Sequence, residues 1–325
     1  MSPLIQGAIT ILIGVGGCVA YFWASNLVLD KVIFPARGRQ AGRNINRANV
    51  IRPWLFLLPA LLALGLYLVY PVFGSFHRSL YNRTGAEFIG LGNYRIMLGD
   101  PEFRTAFTNN LLWVLIVPAA STFLGLLIAQ LTDRLRWGTV AKSIIFMPMA
   151  ISFVGAALIW KFVYANNPDI GLINAILAGL GGGASVDVLQ LPFWNNVFLM
   201  VILIWIQTGF AMVILSAALR GVPEDTIEAA ILDGAGPARV FFSIKVPQIM
   251  PTIVVVWTTI TILVLKVFDI VYTMTGGNFG TQILPSYMMS YMFRDDGRAT
   301  AVAFVIMLIV LPVMVWNIRQ ARRER

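Results

Sequence analysis

Residues 228–247 read Glu-Ala-Ala-Ile-Leu-Asp-Gly-Ala-Gly-Pro-Ala-Arg-Val-Phe-Phe-Ser-Ile-Lys-Val-Pro, a short polar segment held between two long apolar runs. Just upstream, Gly221-Val222-Pro223-Glu224-Asp225 has the marks of a helix start. Proline suits a first turn, where its missing N–H has no partner to lose, and Glu224 and Asp225 complement the positive end of the helix dipole. The helix is expected to run through Ala229 and Ala230, small residues that permit close approach of another backbone. Gly234-Ala235-Gly236-Pro237 then breaks it, because glycine permits a sharp turn and Pro237 opens a second short helix over 238–244. Val240, Phe241 and Phe242 give that second helix more apolar surface than a loop in water leaves bare. Pro247 and Pro251 mark the return to apolar sequence.

What flanks this segment decides the fold class. The chain is 58% hydrophobic and 12% charged, with a mean hydropathy of +0.79, whereas soluble domains are about half apolar and about a quarter charged. A helix needs about 20 mainly apolar residues to cross a bilayer. Seven such runs occur, at about 5–29, 53–75, 106–131, 143–164, 196–219, 249–271 and 299–318. The expectation is an all-α polytopic membrane protein. The first run lacks a basic n-region and is long, so it reads as a retained span rather than a cleaved signal.

Orientation follows from the cations. Placing Lys31, Arg37, Arg39, Arg43, Arg47 and Arg52 inside puts Arg134, Arg136 and Lys142 inside as well. Arg220, Arg239 and Lys245 of the opening segment and Arg319, Arg322, Arg323 and Arg325 of the tail join them. The other side carries Arg78, Arg83, Arg95, Arg104, Arg294 and Arg298. The amino terminus is therefore expected outside and the carboxyl terminus inside. A net charge of +9 distributed over short loops in this way reads as topology and lipid attraction, not nucleic-acid binding. The single cysteine, Cys18, falls in the first run and forms no disulfide within the chain. Gly171–Leu177 reads as a short interfacial helix followed by the flexible Gly181-Gly182-Gly183.

The 228–247 segment resembles the E-A-A-x3-G-x9-I-x-L-P signature of the permease subunits of binding-protein-dependent ABC importers. Glu228, Ala229, Ala230, Gly234, Ile244 and Pro247 occupy the signature positions, and Val246 stands where the family usually has Leu. The resemblance covers about 53–318 and is greatest for the maltose and α-glucoside type. Phe268-Asp269-Ile270-Val271-Tyr272-Thr273-Met274-Thr275-Gly276-Gly277 is similar to a segment those permeases carry, although Asn278-Phe279 replaces the usual Gly-Pro. It implies a six-helix permease core at 53–325 with a coupling loop at about 220–247. Residues 1–52 are then an extra transmembrane helix and a basic linker. By the same resemblance, Glu228, Ala229, Ala230, Asp233, Gly234, Gly236, Ile244 and Pro247 would couple to a dimer of cytosolic ATPase subunits, where ATP-Mg binds. A second, homologous permease and an extracytoplasmic solute-binding protein complete the implied assembly, and this chain binds no cofactor itself.

Polar groups inside spans are costly and invite a functional reading. Lys266 and Asp269, three apart on one helical face of the sixth run, read first as a pair that neutralises itself, with direct contact to a sugar as the second reading. Trp205, Gln207 and Thr208 in the fifth run mix an aromatic face with amide and hydroxyl groups, as a sugar pathway requires. Asp269, Tyr272, Thr275, Tyr287 and Tyr291 offer the same chemistry nearer the outer end. Two other readings exist. An ion-gradient-driven transporter or channel acting without an ATPase requires paired intramembrane charges, and Lys266/Asp269 is the only pair. An intramembrane enzyme requires a nucleophile or metal cluster, but the chain has one His, His77, and no G-x-x-x-x-G-K-[ST], G-x-S-x-G or H-E-x-x-H motif.

Overall fold

The computed structural model of the chain describes residues 3–35, 41–133, 135–181 and 185–323. Arg37, Arg39, Arg134, Gly182, Gly183 and Arg325, which the sequence assigns to loops and tail, lie outside them. The described residues are helical, apart from connecting turns and one isolated bridge between Tyr81 and Phe88. They divide into two compact units, Met1–Gly74 and Ser75–Arg325.

In the first unit, helix α1 (Pro3–Val28) runs into a π-helical turn, Leu29–Ile33. Helix α2 (Ala41–Leu64) and a second π-helical turn (Gly65–Val69) follow, and α3 (Tyr70–Ser79) starts in this unit and ends in the second. Helix α2 passes through residues 52 and 53 without interruption, so Arg43, Arg47 and Arg52 lie on a helix rather than in a linker loop. Arg52 makes two hydrogen bonds to Asp30, at 2.6 and 2.8 Å. Pro59 lies inside α2 and cannot donate to the carbonyl of Leu55. The Tyr21 hydroxyl of α1 donates to that carbonyl instead, at 2.7 Å. A proline within an apolar span is tolerated where a neighbour fills the vacant acceptor in this way.

The second unit continues with α4 (Gly92–Gly99), α5 (Pro101–Thr132) and α6 (Gly138–Phe146), the last prolonged by a 3₁₀ turn, Met147–Ala150. Then come α7 (Phe153–Val163), α8 (Leu172–Gly179), α9 (Trp194–Arg220) and α10 (Glu224–Leu232). Next, α11 (Pro237–Arg239), a π-helical turn (Val240–Lys245) and α12 (Val246–Gln248) follow one another directly. The chain closes with α13 (Met250–Val264), α14 (Asp269–Thr275), α15 (Leu284–Tyr291) and α16 (Asp296–Arg323). Among the described residues, five helices are long and apolar enough to cross a membrane, and up to seven spans result if each of two bent pairs is one span. Each of the seven apolar runs of the sequence overlaps one of these spans, although the sixth leaves its span at Val264. The fourth is bent by 105° between Ala150 and Phe153, and the 237–264 stretch by 71° at Ile249. The seventh starts at Asp296, and the expected interfacial helix is α8.

The core lies along α5 and α9, with Trp113, Val117, Leu199, Ile202, Leu203 and Leu215 buried. Lipid supplies no hydrophobic drive between helices, so close backbone packing at small residues has to hold such a pair together. Gly125 is the point of closest approach: a Cβ there would lie 2.5 Å from the Cβ of Ala211 and 2.8 Å from the backbone nitrogen of Met212. Gly209 faces the α6 backbone in the same way, 2.5 Å from the Ile145 carbonyl oxygen. Gly125→Leu is therefore expected to destabilise the fold by about 1–3 kcal/mol or more through overpacking. It should lower the thermal unfolding midpoint in detergent, whereas Gly99→Ala, which meets nothing within 4 Å, leaves it unchanged.

One polar cluster ties the start of α5 to α15 and α16, and a second ties the ends of α5 and α9 to α6. At the Pro101 end, the Asp100 carboxylate accepts from the Glu102 N–H at 2.9 Å, the Tyr287 hydroxyl at 2.7 Å and the Tyr291 hydroxyl at 3.3 Å. Arg298 approaches Asp100 at 3.7 Å and lies 4.5 Å over the Tyr291 ring. Burial pushes the Asp100 pKa up, but the Tyr287 hydrogen bond and its companions outweigh it and hold the carboxyl below its ordinary value. At the Arg220 end, Asp133 pairs with Lys142, accepts from the Ser216 hydroxyl at 3.0 Å and meets Arg220 at 3.2 Å. Burial pushes its pKa up, but the Lys142 hydrogen bond and its companions outweigh this and hold the carboxyl below its ordinary value.

Candidate functional site

The 228–247 segment lies at the Arg220 end of the helix pair. Helix α10 starts at Glu224 with Pro223 as its cap, one position outside the first turn that the sequence suggests, and Glu224 and Asp225 occupy that turn. It ends because Gly234 takes a left-handed conformation (φ 81°) and the Ala235 N–H returns to the Ala230 carbonyl at 2.9 Å. This six-to-one closure belongs to a Schellman turn, whose left-handed position favours glycine. Pro237 then begins the second helical piece, which runs through to Gln248 rather than stopping at 244.

The two pieces form a loop with distinct faces. On the inner face, Val240 is buried, and Ile227 and Phe241 pack against the core. A cavity of about 200 Å³ separates this face from Gln130 near the end of α5. On the outer face, Leu232 is 87% exposed and Phe242 63% exposed, while Ile231, also exposed, borders the cavity with Ile227. Glu228, Ala229, Asp233, Gly234, Gly236 and Pro247 are exposed, and Ala230 and Ile244 are half-buried. No described residue of the chain pairs with Glu228. The motif residues are thus gathered on an open, partly apolar surface.

The residues named for a solute pathway fall into two groups. The first is occupied internally. Thr208 donates to the Ile204 carbonyl at 2.7 Å, and Thr275 donates to Val271 and meets the Thr281 hydroxyl at 2.6 Å. Tyr287 is fully buried, and it and Tyr291 give their hydroxyls to Asp100. The second group makes no side-chain hydrogen bond among the described residues. Trp205 is half-buried, edge-on to Trp160 at 5.8 Å. Gln207 lies mid-span in α9, buried and without a hydrogen-bond partner among the described residues. Tyr272 is 56% exposed and stacks on Phe268, with 4.9 Å between ring centroids and 24° between planes.

The sixth run does not form one helix over 249–271. Helix α13 stops at Val264, residues 265–268 are not helical, and α14 starts at Asp269. Lys266 and Asp269 therefore do not share a helical face, and no ion pair joins them. This corrects the expectation of mutual neutralisation. Lys266 is exposed between buried Leu265 and Val267, and Asp269 is half-buried.

Sequence reasoning also missed a group of buried asparagines at the Trp194 end of the core. Asn109 donates to the carbonyls of Gly280 and Gln282, both at 2.7 Å, and Asn195 to that of Phe279 at 2.7 Å. Asn110 accepts from the Leu284 N–H at 3.1 Å. They hold the 276–283 turn, where Phe279 has φ 57°. The doublets Asn109-Asn110 and Asn195-Asn196 inside apolar runs are the signal that could have found them.

The geometry agrees with comparisons against known proteins. A sequence model of the family described as "Binding-protein-dependent transport system inner membrane component" matches residues 121–325, which contain the motif loop and both bent spans. The chain belongs to this family. It is 61% identical to the alpha-glucoside transport system permease protein AglF of Rhizobium meliloti (strain 1021), over 100% of this chain and 99% of that protein. It is 48% identical to the osmoprotective compounds uptake permease protein GgtC of Synechocystis, over 83% of this chain and 99% of that protein. Its fold is similar to that in the crystal structure of a bacterial alginate ABC transporter in complex with alginate pentasaccharide-bound periplasmic protein. The TM-score is 0.71 at 21% identity, over 88% of this chain and 98% of that one. This permease is accordingly a multi-pass membrane protein of the ABC importer kind.

Proposed function

We propose that this permease is the membrane subunit of an ATP-driven sugar importer and that the Gly221–Gln248 loop docks on a cytosolic ATPase. The observation that carries the reading is the outer face of that loop. Glu228, Leu232 and Phe242 are left bare by the chain's own packing, and apolar side chains exposed together in a loop call for a partner that covers them. The full-length similarity to an alpha-glucoside permease supports an α-glucoside or a related neutral oligosaccharide as solute. The amino terminus then lies outside and the carboxyl terminus inside the cytoplasmic (inner) membrane.

In the proposed assembly, this chain and a second, homologous permease enclose the pathway. Two ATPase subunits hold ATP-Mg, and an extracytoplasmic binding protein delivers the sugar. Closure of the ATPase dimer moves the coupling loops, and the bent spans carry that motion to the pathway. Trp205, Gln207, Asp269 and Tyr272 are the pathway candidates whose polar groups are not taken up by hydrogen bonds among the described residues, and of these Trp205, Asp269 and Tyr272 are at least partly exposed. The gradient-driven alternative loses its one charge pair, because Lys266 and Asp269 are not joined. The test is purification of the tagged chain from its native membrane with identification of the accompanying proteins. A Walker-type ATPase and a second permease in stoichiometric amount are expected. A chain that purifies alone and transports sugar in liposomes without an ATPase overturns the reading.

A further inference from the structure

Helix α9 ends at Arg220, so that residue stands at the root of the Gly221–Gln248 loop. A single carboxylate oxygen holds this root. Asp133 Oδ1, just past the end of α5, takes the Lys142 ammonium of α6, the Ser216 hydroxyl of α9 at 3.0 Å and the Arg220 guanidinium at 3.2 and 3.3 Å. Lys142 also donates to the Ser216 hydroxyl, so α6 is tied to α9 both directly and through Asp133. The Lys142 and Asp133 side chains are only 14% and 21% exposed. A shielded ion pair is a poor stabiliser, because apolar residues of the same volume often hold a fold as well. Fixing one packing register is the best-attested use of such a pair.

The surroundings show what that register sets. Ile227 and Phe241 of the loop pack on the core, but the cavity of about 200 Å³ interrupts this contact beside Gln130 of α5. Helix α6, by contrast, is seated on α9 at its far end too, where the Ile145 carbonyl faces Gly209. The chain then bends by 105° into α7, whose Trp160 meets Trp205 of α9 edge-on. Arg220 and Trp205 share α9, so the ion cluster sets where α6 and α7 stand relative to that helix.

We propose that Lys142, Asp133 and Ser216 form a joint that makes the α6–α7 bend follow the loop root when the ATPase displaces it. They are positioning residues for transport: without the joint, the loop and α9 move and α6 stays behind. The inference rests on the import reading above and adds to it the connection that carries loop movement into one bent span.

The test uses the complete transporter, purified with its ATPase, in a Cys18→Ser background. An environment-sensitive, thiol-reactive fluorophore is attached at Ala238→Cys in the loop or at Met147→Cys before the bend, both exposed positions. ATP with vanadate should shift the emission of both reporters. Lys142→Met leaves Asp133 its Ser216 and Arg220 partners. It is expected to cut the Met147 response at least fivefold while the Ala238 response stays within twofold of wild type, and Lys142→Arg should restore at least half. A purely structural role would weaken both reporters together. Equal weakening, a Met147 response within twofold of wild type, or no recovery with arginine overturns the proposal. If Lys142→Met fails to insert, Arg220→Gln takes its place, at a side chain 67% exposed. It should lower the Met147 response at least twofold with the Ala238 response kept, and an unchanged Met147 response overturns the joint. A wild type without an ATPase, or whose Ala238 reporter ignores ATP, overturns the import reading and the joint with it.

Discussion

Glu228→Lys is expected to lower transport by about 100-fold or more while the protein still inserts and folds. The side chain is exposed and makes no contact that α10 needs, so charge reversal leaves the permease itself intact. Its effect falls on the docked state. A carboxylate that meets a basic residue across an interface contributes through that pair, and truncating one partner of a buried charge pair costs about 2–5 kcal/mol. Reversal adds like-charge repulsion, and about 2.7 kcal/mol already corresponds to the hundredfold loss. Uptake in whole cells, with the level of membrane-inserted permease measured in parallel, checks this. Near-normal uptake would remove Glu228 from the docking surface. A lost signal for inserted protein would mean that the residue serves folding, which its exposure argues against.

The fold class was legible because a bilayer imposes a length on every span, and seven apolar runs of that length stand out without further analysis. The motif loop was legible for a different reason. Proline, glycine and charge at Pro223, Glu224, Gly234 and Pro237 act within a few residues of where they occur, so helix, turn and second helix could be placed in advance. What sequence could not supply was contact between distant segments. Asp133 reads as one more loop residue until Lys142, Ser216 and Arg220 are seen around it. Tyr287 and Tyr291 look like pathway aromatics until Asp100, at the far end of a helix remote in sequence, takes their hydroxyls. The break after Val264 was missed because Leu265, Val267 and Phe268 are as apolar as the helix before them, and periodicity does not distinguish a helix from an unwound apolar stretch. That error mattered most, since it converts Lys266/Asp269 from a self-neutralised pair into two separate groups.

Gly234→Val is expected to reduce stimulation of ATPase activity by the binding protein to near the unstimulated level. A Cβ at Gly234 meets nothing within 4 Å, so the substitution is sterically harmless to its surroundings. The strain is local: φ is 81°, and a left-handed conformation costs an L-residue about 1–2 kcal/mol, with β-branched side chains among the worst placed. The chain relieves that strain by opening the turn, which breaks the Ala235 to Ala230 hydrogen bond and alters the angle between α10 and the helical piece that starts at Pro237. Glu228 and Leu232 lie on one arm and Phe242 on the other, so a changed angle spoils the fit of the whole face without removing any of its side chains. Gly234→Asn separates this account from a general intolerance of substitution, because asparagine enters the left-handed region more readily than other non-glycine residues. The ratio of ATPase rates with and without binding protein, measured in proteoliposomes, should fall in the order glycine, asparagine, valine. An unchanged ratio for the valine variant would mean that the Gly234 turn does not set the coupling geometry, and equal loss in both variants would place the defect in the side chain's presence rather than in the backbone.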